Sequence, residues 1–291
     1  MSAPDVDRLR RRKRTELVFR VLATGSAVVV LLSLVLILGT ILWKSVPALS
    51  LAMLTQTPKG GFYLGKGGGI LNAIVGSLYL GLGATALALL LSLPLALYLN
   101  IYKGLTSRTA VWTRFFLDVL WGVPSIVYGA FGFVIMLALG LRASLLAGIL
   151  TVALLEFPIM SRAIDEVLRL VPRELKDASA SLGATRFETA WKVMVRQAAP
   201  GILTGILLAF GRGIGDAASV LFTAGFTDRV PASLTDPAAT LPLAIFFQLG
   251  TPFPEVQQRA YASAAVLTLI ILIISLAGRA MSRKVTRHVV K

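Results

Sequence analysis

An all-α integral membrane protein with about six transmembrane helices is the fold class this sequence predicts. Three observations lead there. First, the 291 residues are 56% hydrophobic and only 15% charged, whereas a soluble domain needs about a quarter of its residues charged. Second, the deficit is local: Val21 to Trp43 and Ile70 to Tyr102 contain no Asp, Glu, Lys or Arg. A run of roughly 20 such residues is long enough to cross the hydrocarbon core as a helix. Third, the basic residues gather at the ends and connections of the apolar segments, which is a topological pattern and not a nucleic-acid-binding face.

The spans are expected at about 18–43, 70–102, 113–140, 143–162, 198–227 and 260–280. The first follows a run of six basic residues between 8 and 14. That resembles the n-region of a signal peptide, but the apolar stretch is too long, and Lys44-Ser45-Val46-Pro47 is a poor cleavage site. An uncleaved membrane helix is the reading. The second is longer than a bilayer needs and tilts or extends into water. Pro94 in it, and Pro124 in the third, predict kinks, because a ring-bound nitrogen removes one helix hydrogen bond. The connection 162–197 is rich in both charge signs and reads as helical. The connection 228–259 holds five prolines, and its apolar piece Leu241 to Gly250 is too short to span, so a re-entrant or interfacial helix is expected.

Orientation follows from the positive-inside rule. With the amino terminus cytoplasmic, inside segments hold 22 Lys and Arg and outside segments hold 6, with Arg212 left inside a span. Both termini are therefore expected in the cytoplasm. The net charge of +15 is read as this bias, with no nucleic-acid partner. Cysteine is absent and the single histidine, His288, lies in a basic tail. That excludes thiolate chemistry and any His-based catalytic or metal constellation in this chain. Gly60-Gly61-Phe62-Tyr63-Leu64-Gly65-Lys66-Gly67 fits GxxxxGK, but Gly67 stands where a hydroxyl should hold magnesium, and the segment lies outside. It reads as a turn.

Three places carry chemistry. Gly211-Arg212-Gly213-Ile214-Gly215-Asp216 sits within the fifth apolar segment, where an arginine costs at least about 2.5 kcal/mol. Arg212 and Asp216 are four apart and would share one helix face. Either the guanidinium faces the path of an oxyanion, which its planar fork can grip, or the two form a structural ion pair. Glu156 is a second acid inside an apolar segment. It reads as pairing with a basic residue of a partner or as lying near the inner interface, or else as a proton relay in a secondary carrier. Asp118 reads as interfacial. In the long cytoplasmic connection, Pro172 permits a helix start. Leu175, Ala178, Leu182, Phe187 and Trp191 recur at roughly helical spacing, and Gly183 permits a sharp turn. Such a helix must bury its apolar face on its own bundle or on a partner.

Asp177-Ala178-Ser179-Ala180-Ser181-Leu182-Gly183 resembles the EAA motif of ABC importer permeases, a Glu-Ala-Ala triplet with a glycine four residues after it. The flanks Gly69 to Leu78, Gly122 to Gly129 and Gly211 to Gly225 resemble the PstA-type phosphate permeases, and the resemblance runs from about 17 to 285. It implies a MetI-like permease fold with a cytoplasmic coupling helix. The chain then divides into a basic segment 1–17, a first helix and external loop 18–69, a five-helix core 70–280 with coupling loop 162–197, and a basic tail 281–291. It implies a transport subunit and no enzyme: the inorganic phosphate path is formed with a PstC-like permease, in the bacterial cytoplasmic membrane. ATP and magnesium sit on a separate ATPase dimer, which docks on Leu175, Asp177, Ala178, Leu182 and Gly183. No cofactor is expected in this chain. An extracytoplasmic phosphate-binding protein delivers the solute, and Arg212 and Asp216 line its path. A permease for another solute and a proton-coupled carrier are the alternative readings. The sequence departs from the family pattern at Asp177 and Asp216, each one methylene shorter than the usual Glu. It also departs at Arg196-Gln197, Ser219 and Glu156.

Overall fold

The computed structural model describes residues 3–59, 67–104 and 107–285, and every regular element among them is helical. The expected motif-like stretch 60–67 and His288 fall almost wholly or wholly outside the described residues. The first helix, α1 (Ala3–Ser45), runs unbroken from the basic segment through the apolar one. A short α2 (Leu51–Thr55), capped by Ser50, follows. Then α3 (Leu71–Tyr98) contains Pro94 and passes into a π-helical turn, Leu99–Lys103. The next helices are α4 (Arg108–Gly122), α5 (Ser125–Ala138) and α6 (Leu145–Arg169).

The third expected span, 113–140, is not one kinked helix. Its two pieces, α4 and α5, meet at 99°. Pro124 lacks an N–H and drives the residue before it out of helical space. Val123 is accordingly extended, at φ −69° and ψ 129°, and Gly122 precedes it. The break is then closed by a side chain: Tyr128 Oη donates to the carbonyl of Leu120 at 2.8 Å. Among the described residues five helices are long and apolar enough to cross a membrane, and the count reaches six if the bent pair is one span.

The charged connection after α6 holds α7 (Arg173–Ser181) and the short α8 (Arg186–Glu188). A π-helical turn, Thr189–Met194, joins α8 to α9 (Val195–Ile214). The fifth expected span, 198–227, is displaced toward the amino end: the helical run extends from Arg186 to Ile214, and the chain then continues in turns. Lastly come α10 (Leu241–Leu249) and α11 (Pro254–Val285). The nine-residue α10 is the short helix expected in the external loop. Thr240 caps it, and its first N–H donates to the Ser77 hydroxyl of α3 at 2.7 Å.

The core is built on α3, α6 and α9. In α6, 72% of the most apolar window is buried, against 0% in α1. That difference makes α6 the central post and α1 a peripheral helix that packs mainly on α11 among the described residues. Small residues set the spacing: Ala84, Ala88 and Ala153 are almost wholly enclosed where α3 and α6 meet, as close backbone packing between membrane helices requires. One apolar cluster joins Ile159, Met160, Ile164 and Leu168 of α6 to Met194, Ala198 and Ile202, with Leu175 of α7 against it.

Candidate functional site

The end of α9 places Arg212 in its last turn, exposed on the surface of this chain. Gly215 is the C-cap, so Asp216 lies beyond the helix and the expected four-residue register is lost. Its carboxylate turns instead to cap the following turn, accepting from the Ser219 backbone N–H at 2.8 Å. No ion pair joins Arg212 to Asp216 among the described residues. The two expected path residues are therefore neighbours with different tasks. Asp216 holds the backbone turn, and the Arg212 guanidinium has no carboxylate partner among the described residues. A paired arginine would be a poor anion ligand, since its fork would be filled. This one is not filled.

Two neighbours frame that turn. Tyr128, from the start of α5, lies close enough to Arg212 to experience its charge. Gly129 abuts the Ala218 and Ser219 carbonyls so closely that a Cβ there would meet the Ala218 oxygen at 2.7 Å. The broken span thus rests directly on the segment that follows Arg212. On the other side Gly213 faces α6, where an added Cβ would fall on the Glu156 carboxyl.

Glu156 itself is fully buried, and neither of its carboxyl oxygens makes a hydrogen bond. Thr85 of α3 faces it, its hydroxyl near enough to interact with the carboxyl but not aligned in a well-formed hydrogen bond. The sequence marked Glu156 as an oddity, and the structure places it beside the Arg212 turn.

The connection between α6 and α9 presents a second candidate surface. Helix α7 begins just after Pro172 and ends at Leu182, with Gly183 in the left-handed region at φ 79°. Only glycine enters that region without steric cost. Thr185 and Glu188 then form a capping box that starts α8. The Ser179 and Thr189 hydroxyls, 2.9 Å apart, fasten α7 to the turn after it. The apolar positions at helical spacing do not share one buried face. Leu175 packs inward on the core. Leu182 is 89% exposed, Phe187 63% and Trp191 43%. Asp177, Ala178 and Gly183 are exposed as well. Two pressures act on Lys176: burial, and the Arg173 guanidinium nearby. Together they hold its ammonium below the usual lysine range, although Asp177 pulls the other way.

A third constellation went unread in the sequence. Asp165 of α6 is wholly buried and is contacted by donors from four residues. Arg114 of α4 grips both oxygens, Nε to Oδ2 at 2.9 Å and Nη2 to Oδ1 at 3.0 Å. Arg162 and Arg169 reach Oδ2 at 3.1 and 3.3 Å, and Asn100 donates to Oδ1 at 2.7 Å. Arg162 also meets Asp118 at 2.6 Å and Glu166 at 3.1 Å. The available signal was the i, i+3, i+4 spacing of Arg162, Asp165, Glu166 and Arg169 on one helix. Arg114 comes from a distant segment, which spacing alone does not bring near.

Comparison with known proteins gives this arrangement its family. Residues 92–291 match the family described as binding-protein-dependent transport system inner membrane component. The phosphate transport system permease protein PstA of Haemophilus influenzae is 36% identical over 87% of this chain and 89% of its own. That of Yersinia pestis is 35% identical over 94% and 92%. PstA 1 of Mycobacterium tuberculosis is 37% identical over 76% and 72%. The fold also matches the MetNI methionine ABC transporter in an inward-facing conformation, with TM-score 0.59, 17% identity, and coverage of 75% of this chain and 96% of that one. A bacterial ABC transporter that imports the acidic polysaccharide alginate matches with TM-score 0.60, 16% identity, and coverage of 96% and 99%. With several apolar helices and relatives that match most of its length, the chain is a multi-pass inner-membrane protein that belongs to the PstA permease family of binding-protein-dependent transport systems.

Proposed function

We propose that this chain is one of two permease subunits of an ATP-driven importer of inorganic phosphate. The observation that carries the reading is its similarity, at 36% identity over 87% of the chain, to a protein named as a phosphate transport system permease. The geometry agrees with it. Arg212, unpaired at the end of α9, is suited to an oxyanion, and its planar fork can meet two phosphate oxygens at once. Exposed Leu182, Phe187 and Trp191 around α7 are suited to a groove on a soluble partner.

In this reading the partner permease is PstC-like and supplies the other half of the path. Two ATPase subunits carry ATP and magnesium and receive α7 from the cytoplasmic side. A phosphate-binding protein docks from outside, and both termini lie in the cytoplasm. Nucleotide binding draws the ATPases together, and α7 passes that displacement to the bundle as a rigid-body change. Arg212 contacts the anion and Asp216 shapes the turn that presents Arg212. The unpaired guanidinium and the family membership favour this over a proton-coupled carrier.

The test is uptake of radiolabelled phosphate by proteoliposomes holding the four-part complex. Uptake is expected only with ATP inside and binding protein outside. Arg212→Ala is expected to abolish uptake in a complex that still assembles, and Arg212→Lys to retain only part of it. Normal uptake by Arg212→Ala overturns the path role. Uptake driven by a proton gradient without ATP overturns the importer reading.

A further inference from the structure

The Asp165 constellation lies away from Arg212 and has no part in gripping the anion, yet it is the most heavily bonded polar group in the described chain. Its three arginines and its three carboxylates, Asp165, Asp118 and Glu166, balance in charge. Such a cluster stabilises little by itself, because desolvation offsets most of its attraction. What it does is fix geometry. The bidentate Arg114 contact allows one orientation of α4 on α6, with 8% of the Arg114 side chain and none of Asp165 exposed. Asn100 adds the π-helical end of α3 to the same point, bonding Asp165 at 2.7 Å and the Ala96 carbonyl at 2.8 Å.

The elements joined here have different destinations. Arg169 ends α6, one short turn before α7, and Leu175 of α7 packs on the cluster that contains Leu168 and Val171. On the other side, α4 leads to the 99° break, which the Tyr128 to Leu120 bond closes. Beyond the break, Gly129 abuts the Ala218 and Ser219 carbonyls, in the segment that follows Arg212. A broken helix is a weak transmitter unless something holds its first half to the moving post. We propose that Asp165 and Arg114 are positioning residues that lock α4 to α6. The broken span then follows the displacement of α7 as one body and carries it to the Arg212 turn.

This rests on the importer reading, so the wild-type complex is measured first; if it shows no ATP-dependent phosphate uptake, that reading fails before the joint is tested. With the wild type active, Asp165→Asn and Arg114→Gln are expected to assemble with all partners and to hydrolyse ATP at the basal rate. They are expected to lose stimulation by the binding protein, with phosphate moved per ATP falling about tenfold or more, the scale of coupling between linked sites. Arg114→Lys, which keeps charge but loses the fork, is expected to fall between. A variant that transports as many phosphates per ATP as the wild type overturns the proposal. Should the variants fail to assemble, a second measurement decides. The native chain has no cysteine, so spin labels at Val119 of α4 and Leu154 of α6, both exposed, report one distance. It is expected to stay constant between nucleotide-free and ATP-trapped complexes, and a distance that changes by more than several ångströms overturns the joint.

Discussion

Two acids on α6 live under opposite conditions. Glu156 and Asp165 are nine residues apart on one helix and both are fully buried. Asp165 takes bonds from Arg114, Arg162, Arg169 and Asn100, while neither oxygen of Glu156 has a partner. Burial alone therefore says nothing about the role of an acid in this bundle. Partnered, a carboxylate fixes the relation between helices. Unpartnered, it is a cost that its surroundings tolerate. The carboxyl-terminal end of α6 is built as a joint, and its middle holds a group that the resting packing leaves unsatisfied.

The sharpest way to break the comparison is to remove each acid. Asp165→Ala strands the buried Arg114 and is expected to destabilise the chain by about 3–5 kcal/mol, the cost of stripping one partner from a buried ion pair. Thermal unfolding of the purified protein in detergent is the check. A shift no larger than that of a surface substitution means that water or another acid rescues Arg114, and the joint is weaker than its geometry.

Glu156 is expected to respond with the opposite sign. Glu156→Met keeps most of the volume and removes two unsatisfied oxygens, each of which costs about 1–3 kcal/mol when buried alone. The unfolding midpoint should rise. The same contact has a second handle in Gly213, whose added Cβ would fall on the Glu156 carboxyl. Gly213→Ala is expected to cost about 1–3 kcal/mol through overpacking, and most of that cost should vanish in a Glu156→Ala background. An equal cost in both backgrounds would show that Gly213 answers to the neighbouring Val152 instead.

Much of this was legible in the sequence, and the misses have physical causes. The charge-free runs Val21 to Trp43 and Ile70 to Tyr102 located α1 and α3, because lipid removes any tolerance for unpaired charge. Pro172 and Gly183 marked the bounds of α7, because one fixes φ and the other permits a positive one. Pro124 was read as a kink and is a break. Its strength came from the extended Val123 and from Gly122 acting together, a local conformation that hydropathy does not register. The fifth span was drawn to 227 for the same reason: residues after Ile214 are apolar enough to continue the helix, yet they turn around Gly215 and the Asp216 cap. That error carried the supposed Arg212–Asp216 pair with it, since the register existed only if the helix did. The Asp165 joint needs Arg114 from another segment, and pairing across tertiary space leaves no periodic trace.

The smallest effect on stability is expected at Leu182, the apolar counterpart of the comparison. It is 89% exposed where Asp165 and Glu156 are fully enclosed. A side chain that touches so little of its own fold contributes little to it, so Leu182→Ser should change unfolding by no more than about 0.5 kcal/mol. Its apolar surface still has to be accounted for, because one turn away Phe187 and Trp191 also face outward, their rings 6.3 Å apart. A patch of that kind at the end of a well-formed helix is what a partner's groove covers. Leu182→Ser should therefore lower the amount of ATPase subunit that co-purifies with the permease while the melting curve stays put. If both measurements hold steady, the docking face lies elsewhere on the connection, and Asp177 with Ala178 become the residues to change. If both fall together, Leu182 is part of the fold after all, and its exposure in the isolated chain has misled.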